Sequence, residues 1–243
     1  MIQLIFENRE QIQQEAAERV LAMLQEHPTA ILGLATGSTP VGIYQEIVKL
    51  YTQGLISFKK ATTFNLDEYI GLPETHPQSY HTYMKRNLFD HIDLPVEQAY
   101  IPNGNAPDLM EECLRYDELI NKANQMDLQI LGLGHNGHIG FNEPADSLTN
   151  GTHIVELREQ TRLANARFFH TLDEVPTHAI TMGMGSILKA KSILLVVYGE
   201  EKAEVAFKAL TGPIQTELPA SLLQIHPNLT VLMDKEAGRL FND

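Results

Sequence analysis

The chain has 243 residues, of which 43% are hydrophobic, and its formal net charge at pH 7 is −13. This length allows a sizeable core, and we expect a single domain over residues 1–243, because no linker-like or low-complexity segment interrupts the sequence. The acidic charge argues against nucleic acid or an anionic membrane as a partner, since both bind clustered lysine and arginine.

Cysteine content and the apolar runs indicate the compartment. A single cysteine, Cys113, excludes an intrachain disulfide framework, and its place in a helical pattern predicts a buried structural thiol. The apolar run at residues 1–6 is too short for a signal peptide, and no later run reaches the length of a membrane span. We therefore expect a cytoplasmic protein.

Helical and strand patterns alternate along the chain. Apolar residues at helical spacing predict a helix over residues 10–25, and a continuous apolar run predicts a buried strand over residues 30–34. Further helices are predicted over residues 41–52, 79–89, 108–122, 159–169, 202–210 and 235–240. Further strands are predicted over residues 1–6, 61–66, 128–133, 152–157, 178–182, 192–197 and 229–233. The alternation predicts an α/β fold with an open, mostly parallel, doubly wound (Rossmann-like) sheet and helices on both faces.

The segment 132–144, Gly-Leu-Gly-His-Asn-Gly-His-Ile-Gly-Phe-Asn-Glu-Pro, follows a predicted strand. Open α/β sheets bind ligands at the carboxyl ends of their strands, and glycine allows the backbone to approach a ligand closely. His138 and Glu143 are groups that can transfer protons near neutral pH. These features predict an active site in this segment.

The same segment matches the G-x-G-x-x-G turn of dinucleotide-binding proteins at Gly132, Gly134 and Gly137, and Glu156 follows about 20 residues later. That turn requires a helix that opens at the third glycine. Residues 138–152 contain a proline and an Asn-Gly turn signal and have no helical period. A nucleotide site is therefore disfavoured.

Residues 36–40, Thr-Gly-Ser-Thr-Pro, lie between a predicted strand and a predicted helix. We expect Thr39 to cap this helix and Pro40 to occupy its first position. Gly37 and Ser38 then offer backbone N–H groups and a hydroxyl at the positive helix end, which suits a phosphate. The alternative is a well-capped helix without a ligand.

Together, residues 33–40, 65–69, 132–144, 161–169 and 199–202 resemble the corresponding motifs of the glucosamine-6-phosphate deaminases. The resemblance covers most of the chain. It implies conversion of D-glucosamine 6-phosphate and water to D-fructose 6-phosphate and ammonia, in amino-sugar (N-acetylglucosamine) catabolism. Such a reaction consists of proton transfers, so we expect no metal and no organic cofactor.

The resemblance also implies roles for individual residues. Asp67 moves a proton between C1 and C2 of the sugar, and His138 moves the proton that opens the ring, with Glu143 as its partner. Many family members have aspartate where this chain has Asn136, which can orient His138 but adds no charge, so the pH profile is expected to differ. The residues expected to hold the substrate phosphate are Gly37, Ser38, Thr39, Arg167 and Lys202.

Two alternatives remain open. A 6-phosphogluconolactonase has a related fold and a similar glycine-rich loop, although residues 141–144, Phe-Asn-Glu-Pro, resemble the deaminases. A non-catalytic domain that senses a sugar phosphate would need an attached DNA-binding motif. His135, His138 and Glu143 do not match the helical His-x-x-x-His spacing of metal sites.

Some members of this family are hexamers activated by N-acetylglucosamine 6-phosphate. They hold this effector through an Arg/Lys pair on the strand after the glycine-rich segment and through a longer C-terminal tail. The matching positions in this chain are His153 and Val155, which lack both charges. We therefore expect no such activation, and a monomer or a small homo-oligomer.

Overall fold

Apolar runs of the sequence form the strands of a parallel sheet in the computed structural model, which describes residues 1–169 and 171–241. The strands are β1 (Ile2–Phe6), β2 (Ile31–Leu34), β3 (Thr62–Asn65), β4 (Asp67–Tyr69), β5 (Ala99–Tyr100), β6 (Leu128–Gly132), β7 (His153–Glu156), β8 (His178–Thr181), β9 (Ile193–Val197) and β10 (Leu229–Asp234). The α-helices are α1 (Arg9–Glu26), α2 (Val41–Thr52), α3 (Tyr80–Asn87), α4 (Leu109–Lys122), α5 (Glu159–Asn165), α6 (Met184–Leu188) and α7 (Ala203–Thr211).

The larger sheet has seven strands in the order β1-β10-β9-β6-β2-β3-β5, and all neighbouring strands are parallel. The smaller sheet is antiparallel, with the order β4-β8-β7. The predicted mostly parallel, doubly wound sheet is confirmed. Its strand order changes direction between β2 and β6, which is where open α/β sheets form a ligand-binding crevice.

Helices cover both faces of the larger sheet, and β9 shows how the core is divided. Leu194 and Val196 pack on the side of α1, α2 and α3, whereas Ile193, Leu195 and Val197 pack on the side of α4, α6 and α7. Because both faces of β9 are buried, the strand is a continuous apolar run in the sequence. The stripe predicted on α1 is buried at Ile12, Ala16, Val20 and Leu24.

The helix predicted over residues 235–240 is wrong, because these residues form turns. The Asp234 carboxylate accepts the backbone N–H of Ala237 at 2.8 Å, and the Asp234 carbonyl accepts that of Gly238 at 2.8 Å. These bonds fold the chain back directly after β10. The predicted helix over residues 159–169 is shorter than expected, since α5 ends at Asn165 and continues as a 3₁₀ turn, Ala166–Phe168.

Cys113 is buried on α4, as its helical pattern predicts. Within the part of the chain that the structure describes, no helix combines the length and the apolar character needed to cross a membrane.

Candidate active site

A cavity of about 410 Å³ opens at the carboxyl edge of the larger sheet, between the segments that follow β2 and β6. Seven of the nine residues predicted from the sequence line this cavity: Gly37, Ser38, Thr39, Asp67, His138, Arg167 and Lys202. The other two, Asn136 and Glu143, lie next to His138. The structure therefore brings all nine predicted residues to one place.

Asp67 is held where the two sheets meet. A single residue, Leu66, separates β3 from β4. The Leu66 N–H donates to the carbonyl of Leu34 at 3.1 Å, and its carbonyl accepts the N–H of Met182 at 2.6 Å. These bonds fix the backbone that carries Asp67 to the cavity wall.

The Asp67 carboxyl group is nearly dry, with 5% of the residue exposed. Thr36 Oγ1 donates a long hydrogen bond of 3.4 Å to Asp67 Oδ1. Burial and then the neighbouring charge of Glu68 raise the pKa of Asp67 to about 8, against the opposing effect of the Thr36 hydrogen bond. A carboxyl group with a pKa near neutrality can both accept and return a proton at physiological pH.

Two glycines of the 132–144 segment make room for the side chains of Asp67 and His138. Gly140 has φ +58°, and a Cβ at this position would lie 3.3 Å from Asp67 Oδ2. A Cβ at Gly134 would lie 2.3 Å from the ring of His138. The sequence predicts that these glycines let a ligand approach the backbone closely. In the structure they also let the side chains of Asp67 and His138 approach it.

His138, Asn136 and Glu143 form a hydrogen-bonded chain. His138 Nδ1 lies 2.7 Å from Asn136 Oδ1, and Asn136 Nδ2 donates to Glu143 Oε2 at 2.7 Å. The amide of Asn136 has an acceptor at one end and a donor at the other. Because the amide oxygen of Asn136 faces the ring, His138 carries a proton on Nδ1, and Nε2 is left for the cavity.

Glu143 stays ionised in this arrangement. Burial favours a raised pKa, but the imidazole of His138, whose Nδ1 lies 3.6 Å from Glu143 Oε2, outweighs it together with hydrogen bonds from Thr161 and Asn136. Their combined effect lowers the pKa of Glu143 to about 2. Glu143 is therefore a fixed negative charge beside His138 rather than a group that exchanges protons.

The other end of the cavity is positively charged. Arg167 Nη2 donates to Ser38 Oγ at 3.3 Å. Burial and the charge of Arg167 lower the pKa of Lys202, against the opposing charge of Glu201. Gly37 has φ +94°, which favours glycine, and a Cβ there would meet open space. The loop at Gly37 and Ser38 and the two cations, which come from separate segments, line one region of the cavity, which suits an anionic group.

The predicted cap of α2 is wrong by one residue. The helix begins at Val41, Pro40 takes the cap position, and no side chain caps this end. A Cβ on Gly132 would lie 3.4 Å from Thr39 Oγ1. The Thr39 side chain therefore belongs to the cavity wall and not to the helix end.

The cavity is also lined by residues to which the sequence argument gave no role, among them Thr36, Tyr80 and Thr161. Thr36 and Thr161 lie inside motifs that resemble the family, so those motifs contained a signal for them. Tyr80 lies on α3, and no local pattern indicated that this helix reaches the site. The rejected dinucleotide interpretation stays rejected, because no helix opens at Gly137.

The second histidine of the segment, His135, also lines the cavity. Its ring lies perpendicular to that of His138, with centroids 5.6 Å apart. Burial and the charges of His138 and Lys202 lower its pKa. Across residues 1–169 and 171–241, no three His, Cys, Asp or Glu side chains are grouped in a way that could hold a metal ion.

The sheet is doubly wound, and its switch point holds proton-transfer groups and a cationic end of the cavity. These features define the class of protein, an α/β enzyme. The chain belongs to the family described as glucosamine-6-phosphate isomerases/6-phosphogluconolactonase, whose sequence model matches residues 7–232. Structures named 6-phosphogluconolactonase share the fold, for example that from Leishmania guyanensis, with a TM-score of 0.76 at 20% identity over 98% of this chain and 97% of that one.

Relatives with much higher identity are named glucosamine-6-phosphate deaminase. One from Bacillus pumilus (strain SAFR-032) is 54% identical over 235 residues, which cover 97% of this chain and 98% of the relative. One from Thermoanaerobacter pseudethanolicus (strain ATCC 33223 / 39E) is 51% identical, covering 99% of this chain and 95% of the relative. A solved structure of a monomeric glucosamine-6-phosphate deaminase is 48% identical, with a TM-score of 0.96, and the match covers 99% of this chain and 100% of that one.

Proposed function

We propose that this chain is a glucosamine-6-phosphate deaminase, which converts D-glucosamine 6-phosphate and water to D-fructose 6-phosphate and ammonia in amino-sugar catabolism. The observation that carries the proposal is the pairing of Asp67, with a pKa near 8, and His138 across one cavity. Identity of 54% and 51% to relatives with this name supports the same conclusion.

The first step opens the sugar ring. His138, with its Nδ1 proton held by Asn136, presents Nε2 to the substrate and transfers the proton from the O1 hydroxyl to the ring oxygen. The ionised Glu143 holds Asn136 through a hydrogen bond of 2.7 Å and so keeps the imidazole in this orientation. The product of this step is the open-chain amino-aldose.

The second step moves a proton along the open chain. Asp67 takes the proton from C2 and returns it to C1, while a second proton passes from the amino nitrogen to O1, which leaves a hydroxyl at C1 and an imine at C2. Water then adds to C2, and ammonia leaves as the ketone forms. Asp67 must lose and regain a proton in every turnover, which is consistent with its nearly dry surroundings and raised pKa.

We assign the substrate phosphate to the cationic end of the cavity. Backbone N–H groups and hydroxyls of Gly37, Ser38 and Thr39 would hold its oxygens, and Arg167 and Lys202 would balance its charge. A sugar phosphate is too polar to cross a membrane unaided, so we place the reaction in the cytoplasm.

The 6-phosphogluconolactonase alternative is less well supported. Lactone hydrolysis requires no base that removes a proton from carbon, and lactonase structures are about 20% identical to this chain, a level that indicates the fold alone. No feature of the cavity favours a purely sensory role, because a binding site needs no carboxyl group with a raised pKa.

The deciding experiment is an activity assay on the purified chain. Incubation with glucosamine 6-phosphate should release ammonia and fructose 6-phosphate in equal amounts. Unphosphorylated glucosamine, the matched control substrate, should react very poorly because it has no phosphate to bind at the cationic end of the cavity. A folded protein that forms neither product would refute the function, and similar turnover of both sugars would refute the phosphate assignment.

We further propose a monomer or small oligomer without effector activation. The solved structure with 48% identity is described as monomeric, and His153 and Val155 offer no pair of cations for a second sugar phosphate. Rate curves should be hyperbolic and unchanged by N-acetylglucosamine 6-phosphate. Sigmoidal curves that this effector makes hyperbolic, with a hexamer in light scattering, would contradict the proposal.

A further inference from the structure

Glu68 follows Asp67 on β4 but lies outside the cavity wall. It is 2% exposed, and its carboxylate accepts the backbone N–H groups of Tyr69 at 2.8 Å, Tyr80 at 2.9 Å and His81 at 3.0 Å. The ring Nδ1 of His81 lies 2.9 Å from the same carboxylate. Four nitrogen atoms around one carboxylate form the environment of an ionised acceptor.

Two of these nitrogen donors belong to the first residues of α3. The N–H groups at a helix start have no partner within the helix, and they form its positive end. Glu68 accepts those of Tyr80 and His81, and the side chain of the N-cap residue Ser79 accepts that of Thr82 at 3.1 Å. The buried carboxylate thus fixes the start of α3 against β4.

Helix α3 contacts the active site at two further points. Tyr80 lines the cavity beside Asp67. One turn later, the hydroxyl of Tyr83 donates to the carbonyl of Gly37 at 2.6 Å. A continuous link of hydrogen bonds and helix therefore runs from Glu68 to the loop that we assign to the substrate phosphate.

Glu68 also acts on Asp67 through its charge, which raises the pKa of Asp67 in addition to burial. The loop at Gly140 packs on the other side of Asp67 and carries His138 and Glu143, which pair with each other. The titratable groups that interact with Asp67 from the remaining elements are phenols whose pKa values are raised by burial, so they stay neutral: Tyr44, Tyr69, Tyr80 and Tyr116.

We propose that Glu68 is a positioning residue that couples Asp67 to the phosphate-binding loop through helix α3. The proposal rests on the proposed function, because it takes Asp67 as the base and the Gly37 loop as the anion site. Glu68 does not touch the substrate. Its loss should change two separate quantities, the pH at which Asp67 is active and the affinity for the phosphate group.

The test begins with Glu68→Gln, which preserves the side-chain length and removes the charge. The acid limb of the kcat pH profile should move to lower pH by about one unit, because the negative charge beside Asp67 is gone. The inhibition constant of inorganic phosphate should rise several-fold, since an amide cannot accept all the donors at the start of α3. A merely structural role would lower the melting temperature and move neither quantity.

Glu74→Gln is the matched control. Glu74 is an exposed carboxylate on the opposite side of His81, with Oε1 3.7 Å from His81 Nε2. Its loss should leave the pH profile and phosphate inhibition unchanged. If Glu68→Gln is folded and behaves like this control in both measurements, the proposal is overturned.

Tyr83→Phe tests the same link further along α3 and does not disturb Glu68. It should weaken phosphate inhibition several-fold and leave the pH profile unchanged. If Glu68→Gln does not fold, unchanged phosphate inhibition in Tyr83→Phe overturns the proposal. Inactivity of the wild-type chain on glucosamine 6-phosphate would instead refute the proposed function, and phosphate binding measured by calorimetry would still test the coupling.

Discussion

Asp67 and Glu143 are buried to nearly the same degree, with 5% and 8% of each residue exposed, yet their pKa values move in opposite directions. On the Asp67 side of the cavity, a single long hydrogen bond from Thr36 opposes burial and the charge of Glu68, and the pKa rises to about 8. On the His138 side, Thr161 and Asn136 donate hydrogen bonds to Glu143, the imidazole of His138 lies 3.6 Å away, and the pKa falls to about 2.

The difference shows that burial alone does not decide what a carboxyl group can do. A group that must gain and lose a proton needs few donors, because each donor stabilises the ionised form. A group that must remain a fixed charge needs many. Under the proposed function, the two carboxyl groups therefore have different roles: Asp67 exchanges protons, and Glu143 keeps His138 oriented.

Asp67→Asn should have the largest effect on turnover, and it should disturb only the Asp67 side of the cavity. Removal of a general base typically costs on the order of 10²-fold or more in turnover. Inhibition by inorganic phosphate should stay nearly unchanged, because the cationic end of the cavity is intact. Steady-state kinetics of the variant decide the matter, and turnover close to that of wild type would assign the base to another residue.

The same variant should be more stable than wild type at alkaline pH. A carboxyl group whose pKa is about 8 when folded and near 4 when unfolded binds more protons in the folded state between these values. The free energy of unfolding of wild type therefore falls as pH rises from about 4 to about 8. Asparagine removes this loss, so the difference in melting temperature should grow over that interval, and a constant difference would contradict the raised pKa.

Lys202→Ala should leave both carboxyl groups unchanged and weaken substrate binding. Loss of a charge-assisted contact costs about 1.5–3 kcal/mol, which raises KM by roughly 10- to 100-fold. Lys208→Ala is the control, because this exposed lysine on α7 pairs with Glu204, 3.5 Å away. Equal KM values for the two variants would remove Lys202 from the phosphate site.

Asn136→Asp should sharpen the comparison by changing the His138 side alone. Aspartate retains an acceptor for His138 Nδ1 but loses the amide donor to Glu143 and places two carboxylates together. The added negative charge beside His138 changes the electrostatics of proton transfer, so the pH profile of turnover should change, with turnover at the optimum within about 10-fold of wild type. An unchanged profile would show that residue 136 does not act on His138.

Exhaustive treatment with a chelator should have no effect on activity. A metal ion next to either carboxyl group would control its pKa and make the comparison between the two sides meaningless. The assay compares dialysed enzyme before and after the chelator. Activity that is lost and then restored by zinc or another divalent ion would revive the metal interpretation.

The sequence was sufficient to predict those site residues that follow an apolar strand or lie in a motif. Asp67 lies one residue beyond the end of β3, and His138 follows β6, so their place at one sheet edge follows from parallel strand packing. Tyr80 lies in no motif, and the motif at residues 65–69 does not indicate what Glu68 contacts. Their roles depend on how α3 packs against β4, a contact between segments that neither segment encodes alone.

Errors in the predicted elements have similar physical causes. Residues 235–240 have a helical pattern, but the Asp234 carboxylate accepts the N–H of Ala237 and closes turns instead. Strands β4 and β5 have three and two residues, which is too short for an alternating pattern to be visible. Their pairing partners, β8 and β3, provide the ladders that define them.

Leu66, the single residue between β3 and β4, restricts how this enzyme can diversify. An insertion there would separate the Leu66 N–H from the Leu34 carbonyl or the Leu66 carbonyl from the Met182 N–H. Asp67 would then lose its position relative to the sheet. Across the cavity, α5 has exposed positions such as Leu163 and Ala164, where substitutions should cost little stability, although its buried Thr161 bonds to Glu143. New sugar preferences should therefore be engineered at Ala164, which is exposed and lines the cavity, while Thr161 and the corner at Leu66 are left untouched.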